Sequence, residues 1–544
     1  MRADGALEAR AWRPWHTCAV FVAAALLIGA AAAPIPFYDR GEPREALVVR
    51  AMLAGQGMVL PKLDGGAIPN KPPLFHWVAA LAMSAGVRPE ELAIRFPSVL
   101  FGAAGVALTA AVAGQTAGVA AGMLAAAVLG SSFEWFRAAT QSRVDMTLTF
   151  FIVAAVFAWH ARVLGDGSRW VGRLGWLCAA VATLAKGPVG MVLPLLVVGA
   201  GALAAGELRR LVRLVDVWGI AGAGALAVGW YVLAWTSGGD AFLARHLMQE
   251  NVARFVGRGH VAHRHSVLYY LPALLGALFP WSVALPVILR RPDADARALR
   301  RFLLVWAAAV LGFYSLAAGK RSTYLLPLFP PLAILIGQGL AGAVAAAPGR
   351  GARAGLAVVV ALLGVGAVVL WAGLTGPIMT ALGPIFSGGD RERVPAATAL
   401  LLDQRVSAGL MLAMAAGCVA TLATRTTAAL RVAAIVGLAL VWSLGLTAFG
   451  TYPLAAATTS RPVALQVRHD LGPTDRLCRT GFVDRAFQFY VARSVPLCRD
   501  LAEVDGGRTL VITPSVAGGE RRYEITWRGG DPRSVAALPA GGVR

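Results

Sequence analysis

Long apolar segments recur along the chain and constrain its fold more than any other feature. A transmembrane helix needs about 20 consecutive apolar residues, and the chain is 57% hydrophobic and only 15% charged. We predict about thirteen spans, near 17–36, 93–113, 117–134, 144–162, 170–185, 187–205, 214–235, 267–289, 302–318, 323–346, 354–375, 402–423 and 430–450. This predicts an all-α polytopic membrane domain, residues 1–452. Many spans follow 17–36, so we interpret it as an uncleaved helix.

Positive charge is distributed in a way that predicts the topology. The formal net charge is +21, but many of the arginines lie in short segments between spans, which favours a topological signal over a nucleic-acid surface. The predicted inner loops hold Arg162, Arg169, Arg173, Arg209, Arg210, Arg213, Arg290, Arg291, Arg297, Arg300, Arg301, Arg350, Arg353, Arg425 and Arg431. We therefore expect a cytoplasmic N-terminus and an extracytoplasmic C-terminus.

The first outer loop, 37–92, is unusually long and charged. Its composition predicts two short interfacial helices, 42–54 and 74–84. Other outer segments also carry Lys or Arg that the topology rule does not require. A phosphate held near the outer membrane surface is one physical reason to keep cations there.

The tail, 453–544, is more polar and predicts a small extracytoplasmic α/β domain. Strands are expected at 508–514 and 522–529 and a helix at 484–493. Cys478 and Cys498 are candidates for a disulfide, because an oxidising compartment favours the bond and a small domain gains from it. The alternative is two unpaired buried thiols.

Several motifs occur in the order typical of one enzyme class. They are EPREALVVRAMLAGQGMVLPKLDGGAIPNKPPLFHW, AIRFPSVLFG, SRVDMTLTFF, LAKGPVGMVLP, ENVARF, YYLPALLGALFPW and GKRSTYLLPLFP. Over residues 15–340 the chain resembles the ArnT-like and protein O-mannosyltransferase-type glycosyltransferases of the GT-C class. The resemblance implies a GT-C fold, a polyprenyl-phosphate sugar donor, and transfer of one monosaccharide to an acceptor outside the cytoplasm.

One position departs from the family pattern. The first loop usually carries an Asp-Glu pair before Pro-Arg, and here Gly41 precedes Glu42. The missing aspartate is the superfamily's usual candidate for general base. A hydroxyl acceptor would need Glu42 or Asp39 to serve instead, whereas an ionised phosphate acceptor needs no base.

The resemblance also indicates residues for the donor phosphate. The Lys of the KPP motif, Lys71, would contact it and stabilise charge on the leaving group; alternatively it is a snorkelling interfacial lysine. Asp145 is the remaining catalytic candidate, with pairing to Arg143 as the structural alternative. Further substrate-binding candidates are Arg44, Lys186, Lys320, Arg321 and Tyr324.

A metal is not expected. His260, His263 and His265 form either a weak metal site or a solvated basic loop, and Asn70 stands where some relatives carry a Glu near a bound metal. No cofactor is expected to be required; the alternative is a divalent metal.

We therefore predict a glycosyltransferase of the bacterial inner membrane that is a monomer among the membrane lipids. Its partners would be a polyprenyl-phosphate sugar and a lipid A-like or other envelope acceptor, with no nucleic acid. The alternatives are a transporter or flippase of lipid-linked sugar, a protein O-mannosyltransferase-type enzyme, and a non-catalytic scaffold. A transporter is expected to carry charges near the membrane midplane and repeated halves, which the sequence lacks.

Overall fold

The computed structural model describes residues 11–38, 41–61, 71–253, 266–289, 297–345, 349–374, 377, 405–424, 426–473, 475–481, 483–496, 498, 509–517, 520–528 and 538–539. The helices in this part of the chain are α1 Pro14–Ala32, α2 Glu42–Leu53, α3 Leu74–Ser84, α4 Glu90–Ser131, α5 Phe133–Ala139, α6 Val144–Val163, α7 Arg169–Lys186, α8 Val189–Ala205, α9 Val217–Leu243, α10 Tyr270–Leu278, α11 Arg297–Leu316, α12 Phe329–Ala345, α13 Arg350–Trp371, α14 Arg405–Ala423, α15 Ala428–Gly445, α16 Tyr452–Thr458, α17 Arg461–Asp470 and α18 Arg485–Val491. Shorter 3₁₀ or π segments are Leu208–Leu214, Ala244–Ala253, Val267–Tyr269, Trp281–Leu289, Ser322–Leu328 and Leu446–Thr451.

Each of the predicted spans lies on a helix or a helix pair. Among the described residues, eight helices are long and apolar enough to cross a membrane, and a ninth span results if the pair Val267–Leu278 and Trp281–Ile288, bent by 108°, is counted as one. The predicted helices of the first outer loop are α2 and α3, which are too short to span. The fold class is confirmed: the chain is an α-helical integral membrane protein with a small C-terminal α/β domain.

α4 is two spans joined at a sharp break. Its 42 residues would extend about 63 Å as one helix, twice the hydrocarbon thickness. The backbone leaves helical geometry at Ala117 and Gly118, and Gly118 has a φ of 83°. The two legs then pack together, since a Cβ built at Gly130 meets Val106 at 3.6 Å. Spans 93–113 and 117–134 therefore form a hairpin.

The C-terminal sheet has the order β1-β2-β3-β4, with strands Arg476–Arg479, Thr509–Ala517, Glu520–Arg528 and Leu538–Pro539. β1 pairs parallel with β2, and the other neighbours are antiparallel. Cys478 and Cys498 form a disulfide with a Cα–Cα distance of 4.9 Å, so that prediction is confirmed. The helical run from Ala428 continues across the predicted domain boundary at 453 to Thr458.

This domain packs directly on the first outer loop. Phe37, Ala46 and Val49 share one buried apolar cluster with Phe487 and Phe489 of α18. α2 therefore has one face buried against the C-terminal domain.

Candidate active site

A polar cavity forms where four of the predicted outer segments meet. It is lined by Gly41, Arg44, Glu45, Lys71, Ser142, Arg143, Val144, Asp145, Lys186, Arg321 and Tyr324. Its volume of about 80 Å³ is below the roughly 300–1,000 Å³ of pockets that hold a whole small molecule. The cavity therefore suits one charged group, such as a phosphate, better than an entire lipid-linked sugar.

The first fixed element of the cavity is an ion pair between two spans. The Lys186 ammonium, at the C-terminal end of α7, donates to Asp145 in the first turn of α6. The same ammonium lies 4.5 Å from the ring centre of Tyr324. Both partners are largely buried, with 16% and 13% of their side chains exposed. A charge at this depth needs a partner, and here each residue supplies the other's.

The second fixed element lies on α2 and α3. Glu45 accepts from Arg44 through one carboxylate oxygen, with the Arg44 Nε at 3.0 Å, and its other oxygen lies 2.7 Å from His76 Nε2. Burial alone would raise the pKa of Glu45, but the charge of Arg44 and the hydrogen bond and charge of His76 outweigh it. That pKa is held well below its usual range, so Glu45 is an ionised and only weakly basic carboxylate at neutral pH.

Sequence reasoning missed both Glu45 and His76. Glu45 lies one helical turn after Gly41, and side chains at i and i+4 share one helix face. That spacing was a usable signal. Gly41 stands where the family carries an Asp, and an acid one turn later can direct its carboxylate to the same side of the helix.

Glu42 is placed outside the cavity lining. Its carboxylate is completely buried and pairs with Arg95, whose Nε and Nη2 lie 2.9 and 3.0 Å from the two oxygens. The backbone N–H of Ser142 also donates to it at 2.8 Å. This arrangement satisfies a charged arginine inside α4 and ties α2 to the start of α6. The catalytic role predicted for Glu42 gains no support from its position, which is that of a structural ion pair.

Some of the remaining candidates line the cavity and others do not. Lys71 and Arg321 line the cavity as predicted, whereas Lys320 is buried and donates to the carbonyl of Ala317 at 2.5 Å. Asp39 lies outside the described residues.

The histidines at 260, 263 and 265, together with Asn70, also lie outside the described residues. Within the described part of the chain, no group of three or more His, Cys, Asp or Glu side chains is arranged to hold a metal ion.

Among the described residues that line this cavity, positive charge exceeds negative charge. Two carboxylates, Glu45 and Asp145, face five cationic lining residues, which are Arg44, Lys71, Arg143, Lys186 and Arg321. In a site of low dielectric such an excess attracts anions strongly. The arrangement can bind phosphate and can stabilise negative charge as it develops on a leaving phosphate.

Comparison with solved structures decides the fold. The chain superposes on the crystal structure of ArnT from Cupriavidus metallidurans bound to undecaprenyl phosphate with a TM-score of 0.72, over 92% of this chain and 94% of that one, at 21% sequence identity. This is the ArnT fold. The apo structure of the same ArnT matches equally well, with a TM-score of 0.72 over 92% of this chain and 93% of that chain.

Sequence comparisons agree with the ArnT fold and confirm the resemblance found in the motifs. Residues 70–235 match the family model for dolichyl-phosphate-mannose-protein mannosyltransferase. The undecaprenyl phosphate-α-4-amino-4-deoxy-L-arabinose arabinosyl transferase of Pseudomonas aeruginosa is 33% identical over 314 residues, 55% of each chain. The protein of the same name from Pectobacterium atrosepticum is 28% identical over 319 residues, 55% of this chain and 54% of its own. The aligned part thus spans about half the length of these curated relatives.

Proposed function

We propose that the chain is a membrane glycosyltransferase. It transfers one monosaccharide from a polyprenyl-phosphate carrier to a lipid A-like or other cell-envelope acceptor on the outer face of the bacterial inner membrane. The observation that carries the proposal is the cavity at the meeting point of the outer segments, whose described lining includes five cations and two carboxylates. The arabinosyl transferases similar to this chain, and the ArnT structure that contains undecaprenyl phosphate, support the same donor class.

In this reaction the bond between the sugar's anomeric carbon and the carrier's phosphate oxygen breaks. The bonding electrons remain on that oxygen, so the carrier leaves as a phosphate with one more negative charge. An acceptor oxygen forms the new bond to the anomeric carbon. Lys71, Arg321 and Lys186 are the lining cations that we assign to the departing phosphate, because preorganised cations stabilise charge that grows in the transition state.

Residue 41 bears on the nature of the acceptor. A hydroxyl acceptor must lose a proton, whereas an ionised phosphate has none to lose. Among the described carboxylates that line the cavity, Asp145 is paired with Lys186, and Glu45 has a pKa held below its usual range, so each is a weak base; Gly41 supplies none. We therefore propose an ionised phosphate of the acceptor as the nucleophile. A protein hydroxyl, which the mannosyltransferase family model would favour, is the alternative.

Position 41 also offers a test of the acceptor. A Cβ at Gly41 would lie 3.5 Å from the Arg143 guanidinium, so Gly41→Asp fits and adds one negative charge to the cavity. With a phosphate acceptor we expect transfer to fall, because the added charge repels the nucleophile. Increased transfer to a hydroxyl-bearing peptide or glycan would instead favour the mannosyltransferase-type alternative.

The overall activity is tested by mass spectrometry of envelope lipids from cells with and without the gene for this chain. We expect one lipid class to lose a single sugar residue when the protein is absent. An unchanged lipid profile, with lipid-linked sugar accumulating on one side of the membrane, would favour a flippase.

We also propose that the protein acts as a monomer without a cofactor, with its N-terminus in the cytoplasm and its C-terminal domain in the periplasm. Full activity of the purified protein in excess chelator would support the proposal that no metal cofactor is needed. Reporter fusions at Pro348 and Arg544 should label opposite sides of the membrane, as the arginine pattern predicts.

A further inference from the structure

A buried glutamine joins two arginines of the outer segments. Gln141 lies between α5 and α6 and is only 4% exposed. Its Oε1 accepts from Arg143 Nε and from Arg137 Nη1, both at 3.1 Å, and its Nε2 donates to the Tyr38 hydroxyl at 3.0 Å. The opposite amide orientation would place an NH2 group against two guanidinium donors, so these three contacts determine which way the amide points.

Arg143 extends this arrangement into the cavity. It lines the cavity together with Gly41, and a Cβ built at Gly41 would lie 3.5, 3.6 and 3.7 Å from Nη2, Cζ and Nη1 of Arg143. Three nearly equal distances mean that the flat face of the guanidinium covers Gly41. Because the bond from Nε to Gln141 restricts rotation of this group, the guanidinium keeps a fixed direction at the Gly41 end of the cavity.

The other arginine continues the network to a second part of the cavity wall. Arg137 Nε donates to the Glu134 carboxylate at 3.1 Å, and the Ser322 hydroxyl donates to the same carboxylate at 3.2 Å. Ser322 directly follows Arg321, which also lines the cavity. One set of hydrogen bonds therefore braces the segments that carry two of the lining cations.

The central residue of this network is neutral. Gln141 accepts hydrogen bonds from two guanidinium groups without adding negative charge. A glutamate has nearly the same shape and makes stronger hydrogen bonds to guanidinium groups, so packing and hydrogen bonding alone do not require the amide. A carboxylate here would, however, oppose the attraction of the lining cations for an anion. An anion bound in the cavity is therefore a reason for the amide.

We propose that Gln141 is a positioning residue that directs the Arg143 guanidinium at a phosphate group bound in the cavity. The phosphate belongs to the polyprenyl carrier or to the acceptor, because the same chemistry recognises both. This inference rests on the proposed function for the identity of these lipids. It concerns phosphate binding, however, which is measured without sugar transfer.

The decisive variant is Gln141→Glu in the full-length protein, placed in phosphatidylcholine nanodiscs, whose headgroups carry no net charge. Undecaprenyl phosphate and bisphosphorylated lipid A are titrated separately, each against its dephosphorylated form. We expect the affinity for at least one phosphorylated lipid to fall about tenfold, because the new carboxylate repels the anion. The matched control is Gln338→Glu, beside the break of α4, where Gln338 donates to the Thr116 hydroxyl at 3.1 Å. It should leave both affinities unchanged.

A double-variant cycle shows whether Gln141 acts through Arg143. Gln141→Ala removes the bridge and should weaken phosphate binding at least about fivefold, because Arg143 loses its fixed direction. In an Arg143→Met background the same change should have little further effect, since the guanidinium that it positions is gone. Apparent Tm values measured on the same samples identify any variant that fails to fold.

The two lipids distinguish the source of the phosphate. A loss confined to undecaprenyl phosphate would assign the pair to the carrier, a loss confined to lipid A would assign it to the acceptor, and a loss for both would assign it to a position that both phosphates occupy. Any of these results supports the positioning role.

Three results would overturn that role. They are an unchanged phosphate affinity in Gln141→Glu, equal losses from Gln141→Ala with and without Arg143, and a wild type that does not prefer either phosphorylated lipid. Phosphate selectivity that depends on Gln141 in a protein that transfers no sugar would refute the proposed function and leave this inference standing.

Discussion

The Lys71 ammonium is the residue-scale centre of the proposed chemistry. It lies in the NKPP motif, immediately before the two prolines that precede α3, and it lines the cavity together with Asp145 and Lys186. Its charge also acts on Asp145. A lysine in this position can bind the carrier phosphate as a compact point charge.

Replacing Lys71 with Met should reduce transfer at least about tenfold. A lost charge-assisted contact is worth roughly 1.5–3 kcal/mol, and each 1.36 kcal/mol corresponds to about a tenfold change in rate. Lys71→Arg should rescue part of the activity, and Lys62→Met, outside the motif, should have little effect. Initial rates at matched expression measure this, and wild-type activity in Lys71→Met would remove the residue from the mechanism.

The Lys186–Asp145 pair should be needed for both stability and activity. Lys186→Met leaves a largely buried carboxylate without its partner, which should cost about 3 kcal/mol, the lower end for a broken buried pair because both side chains keep some exposure. The double variant Lys186→Met/Asp145→Asn removes both charges and should recover most of the stability but not the activity. Thermal unfolding in detergent tests this, and equal stability of the single and double variants would contradict it.

At the residue scale, the sequence predicted which cations line the cavity better than it predicted the acids. Lys71, Lys186 and Arg321 could be recognised in the sequence because the topology rule does not explain cations in outer segments, so a bound anion was the expected reason. Glu42 lies outside the cavity lining because its carboxylate pairs with Arg95, which is inside a predicted span. A sequence does not show which of two neighbouring acids will supply that partner. Lys320 also lies outside the lining, because its ammonium donates to the carbonyl of Ala317.

At the element scale, the break in α4 depends on Gly118. Its φ of 83° and ψ of 171° lie in a region that is essentially restricted to glycine. Gly118→Ala should therefore destabilise the protein by about 1–3 kcal/mol, whereas Gly199→Ala, in α8 with open space around it, should be neutral or slightly stabilising. Apparent Tm values compare the two, and equal effects would contradict the strain at residue 118.

The contact between α2 and α3 should make stability sensitive to acid. Because the pKa of Glu45 in the folded protein is lowered, its stabilisation is complete above the unfolded value of about 4.3 and is lost as the pH falls below it. Glu45→Gln should therefore be less stable at neutral pH and should lose less stability between about pH 5 and pH 3. Unfolding measured across that range tests the sign, and parallel curves for the two proteins would contradict it.

The transmembrane helices were predictable because hydropathy alone specifies an apolar span. The breaks and turns between helices depend on single residues and were not predictable in the same way. The spans at 93–113 and 117–134 were separated correctly from the sequence, but the continuous α4 hairpin around them depends on the Gly118 backbone. Likewise α2 and α3 were expected as interfacial helices. Their pairing through Glu45 and His76 arises only from tertiary packing, which no local pattern encodes.

At the scale of the whole molecule, the C-terminal domain packs against the first outer loop, whose helix α2 carries residues of the cavity lining. The sequence predicted the domain's strands and its disulfide but not its place against α2, because surfaces that meet across about 400 residues of chain carry no local signal. Tyr490 illustrates this, since its hydroxyl donates to Glu91 at 2.9 Å across the interface. The first outer loop is thus held between two domains.

The most direct test of the central claim is sugar transfer by the purified protein in proteoliposomes. The first donor to test is undecaprenyl phosphate-α-4-amino-4-deoxy-L-arabinose, which is named for the similar transferase of Pseudomonas aeruginosa; the proposed acceptor class is represented by bisphosphorylated lipid A, and Lys71→Met is the control. Mass spectrometry should find lipid A heavier by one sugar residue and an equal amount of free undecaprenyl phosphate, both strongly reduced in the variant. Unmodified lipid A together with an intact donor that has only changed leaflet would contradict the account.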